Sequence, residues 1–571
     1  MLSEKQFNLS LLIFGALLFS AYLHPFHIHP FRTYYHDALV VFGALIAFGM
    51  LALAVRPRLH LPAILWLPMA MVLLLMLQMG AGLVQVENIV FPVMYLLLAA
   101  IAMVVGASWA GLPGGAEKIC LMLAIAHLLA ALLSVVMQGV QIAGVDMSPF
   151  IMFIGRQAQP FMRPYANVAQ PNQLALLLCF GLASVWWLYQ AQRLGRSGAW
   201  LLAVILLWGI SLTQSRIGWI IVPLFALFCW PKREGQRPID RVLLLLLLLI
   251  YIGLVLGMPT LGRWAGFASG SVAERVGGRS ERMVLMQQAW AMASQHPWLG
   301  VGWFGFAAEQ VNIAAGFTST TYAEHAHNLP LNFAAELGWP ATLMILLALG
   351  WWGWQTCFAR SATKNNSVGF ASLCLMAVGV HSLVEFPLWY AYVLLPMAIL
   401  MGMVHQLRWP GRGVAAPQIG ILLSFMAGCL VLVLVTLDYQ RVVSGFKVLR
   451  VQQAGHAVDK ALLTPPSVTL FADYFAYFEL TMLLPKEGMS VREIAFVERM
   501  SHRFGFVHVL NKLAEVYVLN GQPQKALNTV VTLQRLHPIA YPGYFDFWKS
   551  QSKADERYRA VFEKMPKRDA Q

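Results

Sequence analysis

Arg241-Val-Leu-Leu-Leu-Leu-Leu-Leu-Leu-Ile-Tyr-Ile-Gly-Leu-Val-Leu-Gly-Met258 carries no charge after its first residue. As a helix it would be about 27 Å long, and roughly 20 such residues cross the hydrocarbon core of a bilayer. Apolar windows recur on both sides of it, at 9–24, 37–55, 61–79, 90–108, 117–138, 172–190, 198–213, 217–231, 340–357, 368–384, 388–405 and 416–437. The 571-residue chain is 59% hydrophobic and 12% charged, whereas a soluble domain of this size carries about a quarter charged residues. The expectation is an all-α, polytopic membrane protein of about 13 transmembrane helices. The first run, Leu11 to Leu23, follows Lys5 and lacks a small-x-small cleavage site, so it reads as the first span.

The net charge of +14 does not form one patch. Arg56, Arg58, Lys118, Arg193, Arg196, the Pro231–Arg237 loop, Arg360, Lys364, Arg408 and Arg412 fall in alternate connections between spans. That is the positive-inside pattern, which places them and the amino terminus in the cytoplasm and argues against nucleic acid as a partner. The outer side then receives the His24–His36 loop, residues 139–171, residues 259–339 and everything after Asp438. The six cysteines lie in or at the ends of apolar segments with no C-x-x-C pair, as small buried hydrophobes do. His24, His27, His29 and His36 share their loop with aromatics and prolines, which suits interfacial anchoring better than metal binding.

The polar residues that need a reason are on that outer side. Thr321 to Gly338 gathers His325, His327, Asn328 and Glu336 between greasy regions. Histidines two apart share a face if the segment is extended. The pattern is not H-E-x-x-H and no third ligand has clear spacing, so no metal is expected; a general base or a hydrogen-bond partner fits better. Arg216, in Ser211-Leu-Thr-Gln-Ser-Arg-Ile-Gly218, is a cation where the orientation rule disfavours one. It suits anion binding, with snorkelling to headgroups as the plain alternative. Arg275, Arg279 and Arg282 surround the Gly277-Gly278 turn and a helix start at Glu281. Forked guanidinium groups suit a pyrophosphate, although ion pairs with Glu274 and Glu281 would also account for them. Gln170-Pro-Asn-Gln173 opens a helix at Pro171, either capping it or presenting amides to sugar or phosphate. Glu385, just before Pro387, sits at a helix break and needs a cationic partner or a role: orienting His327, or pairing with Arg216 or Arg282. The glycine-rich Gly300-Val-Gly-Trp-Phe-Gly305 matches no phosphate loop. From Asp438 charge returns, and Leu510 to Pro538 reads as a helical hairpin with Ala514, Tyr517, Gly521 and Ala526 at tetratricopeptide-like spacing.

His325-Ala-His-Asn-Leu with Glu336-Leu-Gly338, Ser215-Arg216, Arg282 in Ser-Glu-Arg-Met, Gln170-Pro-Asn-Gln and His381-Ser-x2-Glu385-x-Pro-Leu-Trp-Tyr390 occur together in one chain. Together they resemble the O-antigen ligase superfamily, and within it the PglL-type protein O-oligosaccharyltransferases. The resemblance implies a GT-C-like fold and a metal-independent, inverting transfer without a cofactor. A glycan would move en bloc from undecaprenyl pyrophosphate, in the periplasm of a bacterial inner membrane, to a serine or threonine of a pilin or another periplasmic protein. By position, His327 takes the essential histidine, with His325 and Glu385 beside it. Arg216 and Arg282, with Arg279, Gln170, Asn172 and Asn328, would bind donor. Many relatives have tyrosine where this chain has Phe386, so either Tyr390 substitutes or that hydroxyl is dispensable. The domains expected are an N-terminal bundle at 1–258, a periplasmic catalytic loop at 259–339, further spans at 340–437 and a periplasmic helical domain at 438–571. Two other readings are a ligase or polymerase acting on lipid A core or glycan, and a lipid-linked glycan transporter. The second lacks the internal repeat and mid-membrane polar breaks of transporters.

Overall fold

The computed structural model describes residues 2–154, 161–230, 236–277, 281–358, 365–453 and 459–568. The chain divides into two compact units. The first comprises Met1–Val72, Val93–Gly278 and Leu347–Val433; the second, Leu73–Pro92, Arg279–Leu346 and Leu434–Gln571.

The protein is an all-α polytopic membrane protein. Among the described residues, eleven helices are long and apolar enough to cross a membrane, and they fall in the expected windows. Two shorter apolar helices, Arg216–Cys229 and Asn366–Ser382, occupy the remaining two windows. The helix that begins at Arg241 runs to Ala265, past the apolar stretch. Pro259 does not stop it; Gly266, at φ 77°, does, because glycine adopts the left-handed cap without a Cβ penalty. Thr213-Gln-Ser-Arg216 is a true break: Gln214 is left-handed and the Ser215 hydroxyl caps the next helix.

Within the first unit, described basic connections meet at one end; 231–235, Arg360 and Lys364 lie outside the described residues. Lys118 bonds Glu4 at 2.8 Å, Arg193 meets Glu117 at 3.3 Å and Arg196 meets Asp240 at 3.0 Å. A two-residue ladder pairs Arg58–Leu59 with Val414–Ala415. Such exposed ion pairs add little to stability; what they reveal is that these basic connections share a face. Residues 24–36, 161–171, 214–216 and 385–390 gather at the opposite end, where Asn167 Nδ2 donates to the Leu23 carbonyl at 2.8 Å. The bundle closes tightly on small residues. A Cβ on Gly106 would lie 2.0 Å from the Ile399 carbonyl oxygen, and one on Gly402 would lie 2.0 Å from that of Met103. Such close backbone approach is how helices associate where lipid removes the hydrophobic drive. The histidine tract is built into this end. His36 is buried and meets the Ala21 carbonyl at 2.6 Å, and His27 meets that of Asn167 at 2.7 Å, so the tract is more than an interfacial anchor.

The second unit holds the helices Glu281–Gln295, Phe306–Ile313 and Leu329–Leu337, and the carboxy-terminal set Ala472–Met482, Val491–Arg503, Val507–Leu519, Pro523–Leu536, Tyr541–Ala554 and Glu556–Phe562. Val507–Leu519 and Pro523–Leu536 form the expected hairpin, turning at Gly521 with φ 74°. Their core includes Leu510, Ala514, Ala526, Val530 and Trp548, together with Val311 and Ala314 from the loop before the histidines. Each large side chain so buried contributes about 1.5–3 kcal/mol, so the loop and the carboxy-terminal helices share one core. Phe471 and Phe475 are buried and Asp473 holds Arg503 at 2.6 Å, so that segment serves packing.

Candidate active site

In the first unit the candidate residues lie at helix amino ends. Gln170 precedes Pro171–Gln190, Ser215 precedes Arg216–Cys229 and Tyr390 precedes Ala391–Arg408. Ala169 and Gln214, one residue before the first two caps, have φ of 62° and 52°. A non-glycine residue there costs about 1–2 kcal/mol, so packing must hold each turn. Asn172 joins the ends. Its Oδ1 accepts from Arg163 Nη2 at 3.0 Å and from the Ser215 hydroxyl at 2.8 Å, and its Nδ2 donates to Glu385 Oε1 at 2.8 Å. Arg163 also donates to the Thr213 carbonyl at 3.0 Å. Glu385 is buried, at 3% exposure, so its carboxylate depends on such donors. Arg216 rises exposed from the buried Thr213–Ser215 turn as the first residue of its helix. A guanidinium at a helix's positive end is a ready anion site. Gln170 Oε1 is buried without a hydrogen-bond partner among the described residues.

The Tyr390 ring stacks on Phe386, with centroids 6.2 Å apart, and lies tilted against Tyr392 at 5.3 Å. Burial, then the negative charges of Asp37 and Glu385, push its phenol up, so it keeps its proton. Asp37 fixes this corner by accepting from the Ala391 amide at 2.6 Å and from Thr33 Oγ1 at 3.1 Å. Arg163 and Asp37 were not singled out from sequence, and Ser215 entered only as the neighbour of Arg216 in its motif. Asp37 carried a signal, as a charge at the edge of an apolar window.

In the second unit the histidines do meet. Their ring centroids are 5.0 Å apart, edge to face. The segment is bent, however, not extended, and His327 itself is left-handed at φ 51°. Such strain in a non-glycine residue persists only where its surroundings over-determine it. Asn328 caps Leu329–Leu337, its Oδ1 accepting from the Leu331 amide at 2.9 Å, so that oxygen serves the helix. Ala326, wholly buried, donates to Asn332 Oδ1 at 3.0 Å. Arg282, half-buried, lies in the first turn of Glu281–Gln295. Leu285 and Ala289 of that helix share a core with Ala326 and Ala335, so the arginine's helix packs on the histidine segment. Arg279 lies outside the described residues. Among the described residues no three His, Cys, Asp or Glu side chains gather as a metal ion requires.

Glu336 is 2% exposed and accepts from the Phe306 amide at 3.4 Å. Its own carbonyl accepts from Gln78 Nε2 at 2.7 Å and from the Gly302 amide at 3.2 Å. The Gly300–Gly305 turn thus wraps a buried acid, its use in place of a phosphate. Burial raises the Glu336 carboxyl from 4.5 to about 8 against backbone and Asn332 donors that lower it. An acid raised in the folded state keeps a proton that the unfolded chain has lost, so folding stability falls as pH rises from about 4.5 to about 8. Glu336→Gln copies the protonated acid and should flatten that slope in thermal unfolding followed from pH 5 to 8. Equal slopes in both proteins would contradict the assignment.

A family model described as O-antigen ligase matches residues 201–346, the span holding Arg216, Arg282 and both histidines. One described as virulence factor membrane-bound polymerase, C-terminal, matches residues 370–554. A protein named general O-oligosaccharyltransferase, from Acinetobacter baylyi (strain ATCC 33305 / BD413 / ADP1), is 27% identical over 523 residues, 89% of each chain. A second from that organism, named ComP-specific O-oligosaccharyltransferase, is 28% identical over 248 residues, 42% of this chain and 44% of its own. The chain is therefore a polytopic membrane protein that carries the O-antigen ligase domain and is homologous, over most of its length, to a general O-oligosaccharyltransferase.

Proposed function

We propose that the chain is a protein O-oligosaccharyltransferase that moves a glycan en bloc from undecaprenyl pyrophosphate to a serine or threonine of a periplasmic protein such as a pilin. One observation carries this reading: the match to a general O-oligosaccharyltransferase covers 89% of both chains. The enzyme would sit in the bacterial inner membrane, and its basic connections support a cytoplasmic amino terminus. The residues of the outer end and the carboxy-terminal helices face the periplasm.

The bond that breaks joins a sugar's anomeric carbon to a pyrophosphate. Negative charge grows on the leaving group, so guanidinium groups stabilise the transition state more than the ground state. Arg216 and Arg282 take that role, with Arg279 beside Arg282 in sequence. The attacking hydroxyl is a weak nucleophile, and the His327 imidazole accepts or orients its proton, with the His325 ring against it. Asn172 and Glu385 hold the turn from which Arg216 projects, Gln170 and Asn328 offer polar groups at helix ends, and the protonated Tyr390 supplies the phenol that Phe386 lacks. A single inverting displacement needs no protein nucleophile, metal or cofactor.

The acceptor is what separates this reading from a ligase or polymerase, which the two family descriptions favour. Purified enzyme given lipid-linked glycan with both a pilin and lipid A core should glycosylate the pilin. Glycan on lipid A core and never on protein would replace the first reading with the second.

A further inference from the structure

The histidine segment does not stand by itself. Five residues before His327, the chain is held against the carboxy-terminal helices. The Thr320 and Tyr322 amides donate to the carbonyls of Arg535 and Leu536 at 2.8 and 3.1 Å, at the end of Pro523–Leu536. The Tyr322 ring packs between Phe506, 5.9 Å away, and His537, 6.2 Å away, and its hydroxyl reaches the Arg503 carbonyl at 3.5 Å. Gly505 makes the room: a Cβ there would lie 2.5 Å from the Tyr322 ring and 2.8 Å from Val311. The Gly505 carbonyl is in turn held by the His537 ring at 2.7 Å. On either side of Tyr322, buried Gln310 donates to the Thr321 carbonyl at 3.1 Å and accepts from the Ala323 amide at 2.9 Å. Gln310 also donates to Gln288 at 2.9 Å, on the helix that carries Arg282.

We propose that Tyr322 is a positioning residue, through which the carboxy-terminal helical domain sets the strained His327 turn. The physical reason is the left-handed backbone. It is strained for a residue with a Cβ and relaxes unless both flanks are fixed. Asn328 fixes the downstream flank by capping its helix; Tyr322, seated over Gly505, fixes the upstream one. The carboxy-terminal helices thereby act on the reacting turn without touching the substrate. The inference rests on the reading of His327 as the group that handles the acceptor's proton.

The test uses the full-length purified enzyme and the variants Tyr322→Ala, Tyr322→Phe and Gly505→Ala, in whichever transfer the wild type performs. Small misplacement of a reacting group costs up to about a hundredfold. Tyr322→Ala and Gly505→Ala should therefore lower kcat by about ten- to a hundredfold and leave KM for donor and acceptor within about twofold. Tyr322→Phe keeps the ring and both backbone bonds and should restore kcat to within about threefold of wild type. Thermal unfolding of each variant confirms that a folded enzyme is being compared, and Gly505→Ala decides the matter if Tyr322→Ala does not fold. Unchanged kcat in folded variants, a loss confined to KM, or a Tyr322→Phe enzyme as slow as Tyr322→Ala would overturn the proposal. A wild type that glycosylates lipid A core and not protein would instead remove the acceptor reading and leave the Tyr322 comparison intact.

Discussion

Replacing His327 with alanine is expected to slow glycan transfer by about a hundred- to ten-thousandfold, the contribution of a well-placed general acid–base group. The choice of variant matters because His327 lies at φ 51°. Asparagine tolerates the left-handed region better than most residues, so His327→Asn keeps the turn and removes only the imidazole. Both variants should insert in the membrane, unfold near the wild-type temperature and still bind lipid-linked glycan, while initial transfer rates collapse. If His327→Asn transferred glycan at the wild-type rate, the imidazole would have no part in the chemistry.

Arg216→Ala is the second large effect. Removing one preorganised group from a developing anion costs about a hundred- to a thousandfold in kcat. Arg216 is exposed, and surface substitutions change stability by only about 0.5 kcal/mol, so the loss should appear in the rate and not in thermal unfolding. Arg216→Lys keeps the charge but lacks the fork that matches a phosphate, and should recover only part of the rate. An Arg216→Ala enzyme with unchanged kcat and donor KM would mean that this guanidinium merely snorkels to headgroups. Steady-state kinetics with varied donor separates the two.

The membrane fold was legible because it depends on unbroken apolar length, which is a local property. The Arg241 run and its companion windows needed no tertiary information. Arg216 was legible for a related reason, a cation in a connection that the orientation rule expects to be poor in basic residues. The break at Gln214 also showed in the sequence, as polar residues between two apolar runs. Asn172 is different. Its worth lies in partners at 163, 215 and 385, and an amide gives no hint of where its hydrogen bonds go. Gly300-Val-Gly-Trp-Phe-Gly305 could be read as a turn, but not as the wrapping of buried Glu336. Nor could the His325–His327 spacing reveal a left-handed backbone, since an ordinary side chain carries no mark of that conformation. Gly505 and Tyr322 are far apart along the chain, and the clash that forbids a side chain at 505 exists only once the two segments meet.

The assignment of Arg216, Arg282 and His327 to a single reaction is best tested by an experimental structure of the His327→Asn protein with lipid-linked glycan bound. The expected result is a pyrophosphate contacted by the guanidinium groups of Arg216 and Arg282, with the anomeric carbon facing residue 327. A pyrophosphate that touches neither arginine, or a sugar turned away from residue 327, would contradict it.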